Sequence, residues 1–202
     1  ILSLHGDQLF DRVEILNGGV LDVTWFNPDE AETGCITIEA RLILVREGSG
    51  INATGAGGAG SGAGQDGGFG PGLTNVGPGG GGYGGEGGRG TGVLGGFPYG
   101  SADSLDIQQG SDGGDFFVTG LLDGACGDLQ GVVSSGGRGG GCVELIAPRI
   151  RILGFVRADG QGGESAVDSA EPAIVDGGGG GSGGGILLAS QADAEALRII
   201  CP

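Results

Sequence analysis

The sequence has no methionine and no lysine; its nine basic residues are all arginine, set against 25 Asp and Glu for a formal net charge of −16. Histidine and tryptophan occur once each, and aromatic residues make up only 5% of the chain. These shortages exclude whole classes of function. A nucleic-acid binder replaces phosphate counterions with basic side chains, and a chain this acidic repels phosphate. Anionic membrane surfaces are disfavoured on the same ground. No apolar run reaches the roughly 18 residues a membrane-spanning helix needs, so no membrane span is expected. There is no Cys-x-x-Cys pair, and His5 stands alone, which argues against structural zinc.

What the chain has in excess is glycine, 54 of 202 residues, where about 7% is usual. The glycines keep no strict three-residue register, which excludes collagen. Glycine-rich acidic chains often stay disordered because they bury too little apolar surface. Here Leu, Ile, Val and Phe together number 52, above the roughly one-fifth share below which disorder becomes the default. They are also clustered, so the chain reads as folded.

The clusters are short runs of strand type. Val13–Leu16 is followed by the turn signal Asn17-Gly18-Gly19 and then by Val20–Phe26. Over Cys35–Val45 the alternation puts Ile36, Ile38, Ala40, Leu42 and Leu44 on one face and Thr37, Glu39 and Arg41 on the other. Further runs are Asp115–Leu122, Cys142–Leu145, Arg149–Ile152, Ile186–Ala189 and Ala194–Ile200, with one or two helical turns allowed over Gln191–Arg198. Residues 48–100 hold 26 glycines in 53 positions and read as a glycine-rich insertion.

The sequence also repeats itself. Gly34–Ala40 aligns with Gly141–Ala147, Gly50–Gly58 with Phe155–Gly163, and a shorter copy begins at Gly184. Each copy, within 34–58, 141–163 and 184–189, is too small to bury its own apolar face, and stacking copies as parallel coils solves that. The expectation is a single all-β domain over 1–202, a parallel β-solenoid with polyglycine loops; a β-sandwich is the alternative. Tracts such as Gly77–Gly90 and Gly177–Gly185 suit a threefold extended packing of backbone against backbone, since only glycine fits such crowding. Phe69, Tyr83, Phe97 and Tyr99 punctuate the first tract, as anchors to the core or as contacts for sugar.

The stretches Gly177–Ser190 and Gly139–Gly163 resemble a diffuse group of secreted glycine-rich proteins on bacterial surfaces and in microbial appendages or coats. In these, repeats of a right-handed parallel β-helix alternate with polyglycine loops. The resemblance implies a fold and a surface location, and carries no active site.

Four widely spaced cysteines, Cys35, Cys126, Cys142 and Cys201, fit two disulfides, with Cys126–Cys142 and Cys35–Cys201 the preferred pairing among three. A start at Ile1 without methionine reads as a processed product, and Asn52-Ala53-Thr54 is a glycosylation sequon at Asn52. Together these point to a secreted, cell-surface protein.

Signals of catalysis are weak. Gly180-Gly181-Ser182-Gly183-Gly184 fits the hydrolase elbow pattern only because it lies in a glycine run. Asp159, Asp168 and Asp176 with Arg149, Arg151 and Arg157 could line a polysaccharide-cleaving groove, but their spacing does not demand it. Thr37 is the sole candidate for an ice-binding ladder. Asp103, Asp106, Asp112, Asp115, Asp123 and Asp128 form an acidic stretch suited either to Ca2+ or, preferably, to a solvated surface. No cofactor and no enzyme activity are expected.

The favoured reading is assembly. Ile1, Leu2 and Leu4 at one end and Leu197, Ile199 and Ile200 at the other are apolar, and no polar capping repeat is visible. Terminal strands of this kind add to a neighbour's sheet, and repetition of that contact builds a homopolymer. The expected role is a structural subunit of an extracellular filament, appendage or coat. The alternative is an adhesin or polysaccharide-binding module.

Overall fold

The computed structural model describes residues 1–58, 96, 107–120, 129–164 and 178–190. Among them are thirteen short strands and no helix: β1 (Leu2–Leu4), β2 (Gly6–Leu9), β3 (Arg12–Ile15), β4 (Val20–Val23), β5 (Cys35–Glu39), β6 (Leu42–Val45), β7 (Gly50–Asn52), β8 (Phe116–Gly120), β9 (Leu129–Ser134), β10 (Cys142–Ile146), β11 (Ile150–Ile152), β12 (Phe155–Arg157) and β13 (Ile186–Ala189). Eleven of these form three sheets, ordered β1-β4-β7-β12, β13-β10-β5-β2 and β11-β6-β3. Every pairing in the three is parallel. Parallel neighbours cannot be joined by tight hairpins. Instead β2-β3-β4, β5-β6-β7 and β10-β11-β12 each make one circuit of the three sheets, and each strand pairs with its counterpart one circuit away. This is an all-β arrangement of the parallel solenoid type, so the antiparallel sandwich is set aside.

Stacked circuits bring similar residues into columns. Ile36 lies between Gly6 and Val143, Ile43 between Val13 and Ile150, and Ile51 between Leu21 and Val156. Ile36, Ile38, Ile43, Ile51, Val143 and Leu145 are at most 1% exposed. Full burial of such a side chain contributes about 1.5–3 kcal/mol, so these columns hold together strands too short to be stable alone. The residues that align as repeats in sequence are cross-strand partners here, Cys142 with Cys35 and Val156 with Ile51.

Two expectations need correction. The run 35–45 is two strands in different sheets, bent at Ala40-Arg41. The inward phase therefore shifts after Ala40, to Ile43 and Val45, both 0% exposed, while Leu42 is half-buried and Leu44 stays buried at 8%. The turn expected at Asn17-Gly18-Gly19 is present, closed by the Gly19 N–H to the Leu16 carbonyl at 2.9 Å, and it carries the chain from one sheet to the next: β3 pairs with β6, and β4 with β1 and β7. Asn17 and Gly18 take positive φ of 55° and 73° there, and Gly48 repeats the corner at 74° one circuit later. Finally, the disulfide joins Cys35 to Cys142, so neither Cys126–Cys142 nor Cys35–Cys201 forms. In-register stacking of β5 and β10 sets the two side by side, the register already carried by the repeat match of Gly34–Ala40 to Gly141–Ala147. Cys126 and Cys201 lie outside the described residues, as do 191–202 with their proposed helical turn.

Beside the sheets, segments 107–115, 135–141, 158–164 and 178–185 hydrogen-bond to one another with a period of three. Gly178, Gly181 and Gly184 donate to the carbonyls of Glu164, Gln161 and Ala158 at 2.9, 2.8 and 2.7 Å. Their successors Gly179, Ser182 and Gly185 donate in a different direction, to Gly114, Ser111 and Gln108. Gly137 and Gly140 donate to Gly179 and Ser182, while Gly110 and Gly113 donate to Gly140 and Gly137. Bonds that leave each segment every third residue, with none inside it, are the pattern of a threefold extended chain. A Cβ on Gly113, Gly140 or Gly184 would strike a neighbouring carbonyl. The tract Gly77–Gly90 lies outside the described residues. β8 and β9 form a separate antiparallel pair with a register shift at Phe116/Phe117.

Candidate functional site

The first circuit leaves the molecule open at one end. β1, β2 and β3 are each the outermost strand of their sheet, so their outward backbone groups have no partner strand among the described residues. An outer strand of this kind is a template for another chain unless it is blunted. Here Ile1 is 99% exposed, Leu9 78% and Leu2 58%, with Phe10 and Leu16 also exposed. Ile1, Leu2, Phe10 and Leu16 line a hollow of about 490 Å3 together with Leu4, Val13, Ile15 and Leu21, the end of the core itself. Of the proposed assembly residues, Ile1 and Leu2 stand on the rim and Leu4 packs against the core. Leu197, Ile199 and Ile200 lie outside the described residues.

Apart from Asp7, exposed on β2, charge on this end is paired. Arg12 bonds to Glu14, and Arg41 Nε lies 2.5 Å from Asp11 Oδ1. The hydrogen bond from Arg41 holds the Asp11 carboxyl below its ordinary value, helped by the positive charges of Arg41 and Arg12 and opposed by slight desolvation. Arg41 is correspondingly raised. The end thus presents apolar side chains and neutralised pairs, a surface suited to contact.

At the opposite end β11, β12 and β13 are the outer strands of the same three sheets among the described residues. Ile186, Leu188 and Leu153 are exposed there. Both ends expose the same three-sided set of strands, running in the same direction.

Other residues singled out by sequence fall elsewhere. Asn52 ends β7, donating from Nδ2 to Asp22 Oδ1 at 3.0 Å while its Oδ1 accepts from the Thr54 amide. A glycan at Asn52 would have to displace the Asp22 bond. Asp112 and Asp115 are not a solvated surface: they are 0% and 6% exposed, and their Oδ1 atoms accept from the backbone N–H of Gly139 at 2.6 Å and Gly136 at 2.7 Å. The glycine bundle surrounds them because its donors, lacking side chains of their own, need acceptors. Asp103, Asp106, Asp123 and Asp128 lie outside the described residues. Among the described residues no three metal-ligating side chains converge.

Ser182 exchanges hydrogen bonds with the backbone of Ser111, inside the bundle. Thr37 is flanked in register by Asp7 and Glu144, so no threonine ladder forms there. Arg157 lies over the ring of Phe155 at 4.8 Å, and Arg149, Arg151 and Asp159 are exposed. Asp168 and Asp176 lie outside the described residues. Sequence reading passed over β2, whose Gly6-Asp7-Gln8-Leu9 has one large apolar residue, and passed over Trp25. Only the strand period shared with Ile36–Glu39 could have signalled β2.

No helix among the described residues is long and apolar enough to cross a membrane. Compared with protein-family models, curated proteins and solved structures, the chain matches none.

Proposed function

We propose that this chain is a non-enzymatic structural subunit that polymerises by stacking its solenoid head to tail, in an extracellular filament, appendage or surface coat. The observation that carries this is the open end: three parallel strands around an apolar hollow, with neither a partner strand nor a polar cap among the described residues. The occupant is a second copy of this chain. Its far end offers β13, β11 and β12 in the same three-sided order and direction, so docking would continue all three sheets in parallel across the joint. Such a contact is heterologous and does not close on itself, and its repetition yields a filament.

On this reading the solenoid is right-handed, as parallel crossovers nearly always are, with the glycine segments as loops packed against it. That matches the glycine-rich surface and appendage proteins the sequence resembles. A disulfide between stacked strands suits an oxidising, secreted setting.

The test is sedimentation velocity with negative-stain microscopy of the native protein, with and without EDTA. Filaments or sheets that survive EDTA are expected. Leu2→Lys with Leu9→Lys places charge on the exposed outer strands β1 and β2 without touching the core, and should return the protein to monomers with unchanged circular dichroism. Wild-type protein that stays monomeric at high concentration, or polymers indifferent to the double variant, would overturn the proposal.

A further inference from the structure

We infer that the groove beside Trp25 binds a neutral oligosaccharide. The groove lies on the sheet β1-β4-β7-β12 and shares only Ser3 of β1 with the open end. It has a volume of about 660 Å3, within the roughly 300–1,000 Å3 of small-ligand sites. Its floor is a polar ladder across that sheet: Ser3 opposite Asp22, and Asp22 opposite Asn52. Asn27 and Gln161 close its sides. The groove thus offers hydroxyl, amide and carboxylate groups together, the mix that can both donate to and accept from sugar hydroxyls.

Trp25 supplies the flat apolar element. It is 57% exposed although it is the only tryptophan in the chain. The Arg138 guanidinium lies 4.7 Å from its ring centroid and covers one face, which holds the ring in place and leaves the other for a ligand. Arg138 also donates to the Phe26 carbonyl at 3.4 Å. A pyranose has one apolar C–H face and a rim of hydroxyls, and a fixed aromatic face beside a polar ladder complements both.

The loop that carries Trp25 is tied down before any ligand arrives. Thr33 is 2% exposed. Its Oγ1 accepts from the Asn27 amide at 2.8 Å and donates toward the Glu30 carbonyl at 3.0 Å. Gly34 N–H donates to the Thr24 carbonyl and Phe26 N–H to the Ala56 carbonyl. A preformed site loses less ordering entropy on binding.

The chemistry narrows the ligand further. Among the described residues Asp22 and Glu30 line the groove and no Arg does, while the Arg138 guanidinium is engaged with the Trp25 ring, so uronate and sulfated glycans are disfavoured. Asp22 and Asn52 sit on β4 and β7, interior strands of their sheet, so a peptide cannot add a strand beside them.

Because Trp25 is the sole tryptophan, its fluorescence reports the site directly. Neutral β-glucan, xylan, mannan and chitin oligosaccharides of four to six units are titrated against the native protein, with polygalacturonate fragments as the anionic comparison. At least one neutral series should give a saturable change, and the anionic fragments none. By calorimetry, Trp25→Ala should weaken that binding about tenfold, the scale of a lost aromatic contact, and Trp25→Phe should restore part of it. Asn52→Ala should weaken it too, while the Leu2→Lys, Leu9→Lys variant should bind normally, separating this site from assembly. No response to any neutral series, equal binding of anionic fragments, or unchanged affinity in Trp25→Ala would each overturn the inference.

Discussion

Cys35 and Cys142 stand 107 positions apart in sequence, yet they are register partners across the β5–β10 ladder, with Cα atoms 4.5 Å apart and their sulfurs bonded. The bridge ties one circuit to the next at the point where the chain returns from its longest excursion. For a closed loop of about 100 residues, the loss of unfolded-chain entropy is worth about 4.7 kcal/mol, and measured disulfides mostly fall at about 2–5 kcal/mol. Reduction, or Cys35→Ser, should therefore lower the unfolding free energy by about 2–5 kcal/mol. Urea denaturation with and without reductant checks this; coincident curves would mean the bridge contributes nothing.

The glycine bundle predicts a sharp contrast between two glycines. A Cβ on Gly113 meets the carbonyl of Gly179, whereas one on Gly162 meets nothing within 4 Å. Gly113→Ala should destabilise by about 1–3 kcal/mol, as overpacking against an unyielding backbone does. Gly162→Ala should stay within about 0.5 kcal/mol of wild type. Thermal unfolding of the two variants side by side is the measurement, and equal midpoints would refute backbone packing at this site.

The exposed Asp11–Arg41 pair sets a small pH dependence of known sign. Because the folded carboxyl is held below its ordinary 3.8, the pair stabilises the protein above that value. Its contribution fades as pH falls through the lower folded value. Both side chains are more than two-thirds exposed, so the effect is modest and weakens in salt. In carboxyl-detected NMR titrations Asp11 should titrate below 3.8 in the native protein and move up in Arg41→Gln. Identical titrations in the two proteins would exclude the ion pair.

How much of this was readable from sequence depends on the side chains involved. The columns through Ile36, Ile38 and Ile51 announce themselves, because alternation survives wherever one face is buried. The matches of 34–40 to 141–147 and of 50–52 to 155–157 coincide with the pairing register. The corner at Ala40-Arg41 is unmarked in its own copy, where alternation runs on through the bend, but the aligned copy marks it with Pro148 between the runs 142–145 and 149–152. Asp112 and Asp115 looked like surface because acidic residues usually are. What buries them is a bundle of amides with no side-chain pattern to read. Trp25 was equally silent, as its platform depends on Arg138, 113 positions away along the chain and brought close only by the fold.

The period-three bonding of segment 178–185 has a consequence for how such a chain can change length. A threefold chain turns about 120° per residue, so adding or deleting one glycine rotates every later amide away from its acceptor. A change of three residues restores all the directions and merely slides the segment by one turn. Length variation in these tracts is therefore quantised: whole turns are interchangeable, fractions are not, and the glycine count behaves as a ratchet with three-residue teeth.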